Sequence, residues 1–128
     1  MNDSAKTILL IEEDDTLREI TRFRLELLGY EVVAMGSGEA ALGWLSGKLP
    51  SAILVGHYLP DMEGHELVDR LSNDLRTSEA PVMLVSPNAE LDDVQRAFNA
   101  GADDYLVTPF DPLTLERKLK RLTEPVGA

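Results

Sequence analysis

With 128 residues, no cysteine and a formal net charge of −11, the chain has the size of one domain and carries neither a disulfide framework nor a thiolate metal site. The acidic excess disfavours docking on nucleic acid or on an anionic membrane surface, because both need clustered Lys and Arg. No apolar run approaches a membrane span, Met1 to Lys6 lacks the apolar core of a signal peptide, and a cytoplasmic protein is the expectation.

Met1 to Ala5 is a polar lead-in, expected to be loose. Thr7 to Ile11 is a continuous apolar run, too short for a buried helix and rich in strand formers. Four carboxylates follow, Glu12-Glu13-Asp14-Asp15, with Asp14 or Asp15 placed to cap a helix. Leu17, Ile20, Phe23 or Arg24, Leu27 and Leu28 keep a helical spacing, and Gly29 ends that helix. Glu31 to Met35 reads as a second strand, and Ser37 caps a shorter helix over about Glu39 to Leu45. Ala52 to Val55 is a third strand, apolar enough to be buried on both faces. It stops at Gly56, and Pro60 and Gly64 punctuate the loop beyond.

A helix from Gly64 to Leu71 carries Leu67, Val68 and Leu71, and Val82 to Val85 is the next strand. Asn88 can cap a helix with Leu91, Val94, Ala97 and Phe98 on one side, closed by Gly101. Tyr105 to Val107 is the last strand, and Asp111-Pro112 starts a helix with Leu115, Leu119 and Leu122 as its apolar stripe. Glu124 to Ala128 is a short tail. Five strands alternating with five helices predict an α/β fold, a doubly wound parallel sheet wrapped on both faces. One domain over residues 1–128 is expected, with its core over about 7–122.

In open α/β sheets the working site lies beyond the carboxyl ends of the central strands. The residues at those ends carry a resemblance: Glu12-Glu13 after the first strand, Leu59-Pro60-x-Met62-x-Gly64 after the third, and Ala100-Gly101-Ala102-Asp103-Asp104-Tyr105-Leu106-x-x-Pro109-Phe110 around the fifth. In order and at this spacing, they resemble the response-regulator receiver domain, a flavodoxin-like fold with strand order 2-1-3-4-5. The resemblance implies a phosphorylation switch in two-component signalling or a phosphorelay. An Asp ending the third strand would accept a phosphoryl group from a histidine kinase, with Mg²⁺ neutralising the transferring oxygens. Carried over by position, the acidic pair is Glu12 and Glu13, with Glu13 at the usual metal-ligand place and the backbone carbonyl of Tyr58 as a further vestigial ligand. The switch hydroxyl is Ser86 and the switch aromatic Tyr105.

Two positions depart from that pattern. The acceptor position, four residues before Pro60, is Gly56, and the lysine position, directly before Pro109, is Thr108. Losing an acid and a base together preserves the formal charge of the pocket while deleting its chemistry. Glycine has no nucleophile. Pro87, following Ser86, also stiffens a loop that moves in the family. A degenerate receiver is therefore expected: not an enzyme, without cofactor, and with Mg²⁺ binding weak or absent. Adjacency suggests that Glu12 and Glu13 titrate as a coupled pair.

Its partners would be proteins, whether a histidine kinase, another regulator or a second copy, with no nucleic acid and no membrane. The contact surface would run over the fourth helix, fifth strand and fifth helix, where Asp103, Asp104 and Lys118 resemble charges through which some receivers dimerise. Alternatives are a receiver phosphorylated at another acceptor, such as Asp61, and a small-ligand module using the same crevice. Asp61 follows Pro60 in an exposed turn that points away from the pocket, and no glycine-rich phosphate loop is present. His57, with His65 as its sole companion, reads as structural or solvated rather than as a phosphoryl carrier or ligand. Ser86 has no base beside it in sequence, and Tyr105, lacking a phosphate to respond to, is expected to hold one position.

Overall fold

The computed structural model describes residues 5–124. The expectations for Met1 to Ala5 and Glu124 to Ala128 fall mostly outside that range. The elements in chain order are β1 Thr7–Ile11, α1 Asp15–Leu27, β2 Glu31–Met35, α2 Gly38–Leu45, β3 Ala52–Gly56, α3 Gly64–Asn73, β4 Val82–Ser86, α4 Leu91–Ala100, β5 Asp104–Val107 and α5 Pro112–Thr123. All strand pairings are parallel, and the sheet order is β2-β1-β3-β4-β5. The fold expected from the sequence is the one observed.

Period-two alternation divides the strand side chains between two cores. Leu9, Ile11, Ile53, Val55, Leu84 and Tyr105 face α2, α3 and α4. Ile8, Leu10, Leu54, Met83, Val85 and Leu106 face α1 and α5 through Leu25, Leu115 and Leu119. Both β3 and β4 are buried along their whole length, which explains why their sequences show no polar alternation.

Local signals set most boundaries. Asp14 caps α1 by accepting from the Leu17 amide at 2.8 Å, Ser37 caps α2 from Ala40 at 3.1 Å, and Asp111 caps α5 from Thr114 at 3.0 Å. Gly29 follows α1 with φ 98° and Gly101 closes α4 with φ 118°, a left-handed backbone that suits glycine.

Two helices differ from the sequence expectation. The buried residues of α1 are Thr21 and Leu25, whereas Ile20, Phe23, Leu27 and Leu28 are exposed. Spacing favours the row of larger apolar residues as the inner face, but helix phase puts the row one step round from it against the sheet. In α4, the cap position is Glu90 rather than Asn88, without a side-chain cap bond, and the Asn88 amide donates to Ser86 Oγ at 3.0 Å. Ala97 is the buried residue of that helix, and Leu91 and Phe98 lie exposed.

Candidate functional site

The sheet delivers the predicted residues to one edge. Glu12 follows β1, with its amide on the Met35 carbonyl at 2.9 Å. Gly56 ends β3 in register with Val85, and Ser86 ends β4 opposite Val107. The Thr108 amide donates to the Ser86 carbonyl at 2.9 Å, and the Thr108–Pro109 peptide is cis. Glu12, Glu13, Asp14, His57, Tyr58, Pro87 and Thr108, with Leu17 and Val85, line an open crevice of about 380 Å³.

Gly56 is buried at this edge, and what fills the space beside it is informative. A Cβ on Gly56 would lie 2.8 Å from Glu12 Oε1 and 3.2 Å from the Ile11 carbonyl oxygen. The Glu12 carboxylate thus stands where a side chain of residue 56 would begin. Its other oxygen accepts from the Asp14 amide at 3.0 Å, and its backbone carbonyl accepts from Arg18 Nη1 at 2.7 Å. Burial, ahead of the neighbouring charges of Asp14 and Glu13, pushes the Glu12 carboxyl above its ordinary range. Desolvation therefore outweighs the adjacency of the two glutamates as a cause. Gly64 is required for another reason: any Cβ there would collide with the Gly56 carbonyl oxygen.

The donor set suits Mg²⁺ poorly. Glu13 and the Tyr58 backbone stay at the crevice, yet one carboxylate of the expected set is replaced by hydrogen and Glu12 is folded back onto Gly56. Among the described residues, no group of three or more His, Cys, Asp or Glu side chains is placed to hold a metal ion.

Ser86 is wholly buried, and His57 Nδ1 lies 3.0 Å from its Oγ. The imidazole absent beside it in sequence is present in space, against a hydroxyl with no exposed surface. Tyr105 points inward, 6% exposed, and its hydroxyl donates to the Asn88 carbonyl at 2.6 Å. His57 is buried, stacked edge-on to Tyr58 at 4.2 Å and to His65 at 5.0 Å between ring centroids. Burial lowers the pKa of both histidines, helped by their mutual charge at His57 and by Arg96 at His65. Nothing in the spacing of these two histidines marks them as a pair at the site; only strand register shows that His57 meets the switch serine and brings His65 beside it.

The remaining candidates lie elsewhere. Asp61 is exposed, as expected of a turn, and its two oxygens accept from the Gly38 and Glu39 amides at 3.0 and 2.8 Å, tying the β3–α3 loop to the start of α2. Those amides hold its carboxyl below the ordinary range. Asp103 accepts from the Val82 amide at 2.8 Å, and Asp104 pairs with Lys118 at 3.0 Å, so these charges are used within the chain. Beside them, Phe98, Arg121 and Leu122 border a shallow depression of about 530 Å³.

Comparison with known proteins agrees with this geometry. The response regulator receiver domain model matches residues 8–120. The phosphate regulon transcriptional regulatory protein PhoB of Pseudomonas aeruginosa is 32% identical over 122 residues, covering 95% of this chain and 53% of that protein. The chain thus spans about half the length of the curated relatives it matches. Among solved structures, the signal receiver domain of a signal transduction histidine kinase from Syntrophus aciditrophicus is 30% identical with a TM-score of 0.88, covering 96% of this chain and 93% of that one. The receiver domain of sensor histidine kinase PA1611 from Pseudomonas aeruginosa PAO1, which holds a magnesium ion in its active-site cleft, is 27% identical with a TM-score of 0.86, covering 94% and 98%.

Proposed function

The chain belongs to the response regulator receiver domain family, and on that premise we propose that it is a receiver that has lost phosphoryl transfer and signals by protein contact. The observation that carries this reading is the centre of the crevice, where Gly56 offers no nucleophile and the Glu12 carboxylate occupies the adjoining space. No ammonium stands opposite, because the residue before Pro109 is Thr108. A phosphoryl group arriving there would meet two carboxylates and no cation to offset its charge. Mg²⁺ binding to the remaining donors is weak, and the domain has no catalytic activity of its own. Asp61 does not substitute as acceptor, since both of its oxygens are engaged by the α2 amides.

Two surfaces suit a protein partner. One is the depression lined by Phe98, Arg121 and Leu122 with Asp103 and Asp104. The other is the exposed row Ile20, Phe23 and Leu27 of α1, near Leu113 of α5. A histidine kinase, another regulator or a second copy of the chain would dock there, in the cytoplasm, without nucleic-acid contact from this acidic domain. Amide spectra recorded with Mg²⁺ and beryllofluoride, a phosphoryl mimic, test the reading. Unmoved Ser86 and Tyr105 signals support it, and saturable shifts at Ser86 and Thr108 would refute it.

A further inference from the structure

His65 is the one residue among those described whose buried side-chain polar atoms lack any hydrogen-bond partner: both Nδ1 and Nε2 are unpaired while the residue is only 4% exposed. Such a ring is expensive to bury even when neutral, and far more so as an imidazolium, which must satisfy two N–H donors. It sits in the first turn of α3, against α4. The groups facing it are His57 from the β3–α3 loop, Glu63 just before α3, and Asp93 and Arg96 from α4; Arg96 is ion-paired with Glu63. Burial and then Arg96 oppose a proton on the ring, whereas the Asp93 backbone, short of hydrogen-bond geometry in this closed form, and the carboxylates of Glu63 and Asp93 favour it.

The ring is also joined to the switch residues. His65 meets His57 edge-on, His57 Nδ1 meets Ser86 Oγ, Ser86 Oγ accepts from the Asn88 amide, and the Asn88 carbonyl accepts from the Tyr105 hydroxyl. Ser86 is fully enclosed, and His57 Nδ1 at 3.0 Å is the side chain that shares a hydrogen bond with its hydroxyl. Any displacement of His57 would break that chain at its first link.

We propose that His65 is a proton-operated latch between α3 and α4, released when the ring is protonated and passing the change through His57 and Ser86 to Tyr105. A closed state that excludes the imidazolium and an open state that hydrates it differ in proton affinity. Acid therefore shifts the population toward the open form. With one titrating ring, the open population grows up to tenfold for each pH unit below the ordinary histidine value of about 6.5, and levels off at the depressed value of the closed form. That a proton takes the place of a phosphoryl group as the input rests on the functional reading above; the latch itself does not.

The test is hydrogen exchange at the α4 amides between pH 7.5 and 5, corrected for intrinsic exchange, with the His65 ring followed by NMR over the same range and no phosphodonor present. Opening of α4 should rise up to tenfold per unit below pH 6.5, while β1 amides stay protected and the ring titrates below its ordinary value. In His65→Phe, the acid-dependent slope in α4 should vanish. An unchanged slope in that variant, or α4 protection independent of pH in the parent protein, would overturn the latch. Should the variant fail to fold, a parent ring titrating at or above 6.5 with no change in α4 would do the same.

Discussion

At Gly56 a single hydrogen stands where the proposed reading misses an acceptor carboxylate, and the Glu12 carboxylate lies 2.8 Å from where a Cβ would be. Restoring the chemistry thus requires more than restoring the acid. In Gly56→Asp with Thr108→Lys, the new Cβ presses on Glu12 Oε1 at 2.8 Å, a flexible group that can swing aside, and on the Ile11 carbonyl at 3.2 Å, a tight contact that needs a small backbone adjustment. Adding Glu12→Asp shortens the obstructing side chain. The triple variant should take up a phosphoryl group from acetyl phosphate, and the double variant should do so about tenfold more slowly, because small misplacements of reacting groups are costly. Intact mass against time distinguishes them. Glu12 also leaves a signature in stability. A carboxyl whose value is raised by folding stabilises the fold while protonated, below its ordinary value near 4.5, and that contribution is lost as pH rises through the raised value. Ionised Glu12 is therefore a cost at neutral pH. Glu12→Gln, which keeps an acceptor for the Asp14 amide, should raise Tm by about 2 °C at pH 7 and leave it unchanged at pH 4.

Helix α1 shows how an element can be recognised correctly and yet rotated. Its apolar residues outnumber the positions that the sheet can cover, so spacing alone does not say which row faces inward. Leu25 is wholly buried in the core shared with α5, while Leu27, two residues on, is 61% exposed. Leu25→Ala should cost about 2–5 kcal/mol in denaturant unfolding, and Leu27→Ala about 0.5 kcal/mol or less. Equal losses would mean the helix sits in the phase its larger side chains suggest. The α5 start is set by a local bond, the Asp111 carboxylate on the Thr114 amide. Asp111→Ala should cost about 1 kcal/mol by the same measurement. At Gly64 the constraint comes from backbone meeting backbone, so Gly64→Ala should destabilise by about 1–3 kcal/mol.

For the molecule as a whole, strand order, layer arrangement and the edge on which the crevice lies are legible in the sequence. Buried parallel strands such as Ala52 to Val55 announce themselves as short apolar runs, and Gly29, Gly101 and Asp111-Pro112 mark where helices stop or start. The position of Glu12, Gly56, Ser86 and Thr108 at one sheet edge is legible too, because each ends or follows a strand. What stays hidden depends on contacts between distant segments. The meeting of His57, His65 and Ser86 is fixed by β3–β4 register and by the seat of α3. The bracing role of Asp61 depends on where α2 begins, 23 residues earlier, and the reuse of Asp103 and Asp104 on their own chain depends on how β4 and α5 pack around β5.

Intact mass after incubation with Mg²⁺ and acetyl phosphate, with the triple variant as a positive control, bears on the whole proposal at once. The parent protein should keep its unmodified mass under conditions in which the variant gains one phosphoryl group. A stoichiometric, hydroxylamine-labile phosphoryl adduct on the parent protein would show that its crevice, or another carboxylate beside it, still performs the transfer.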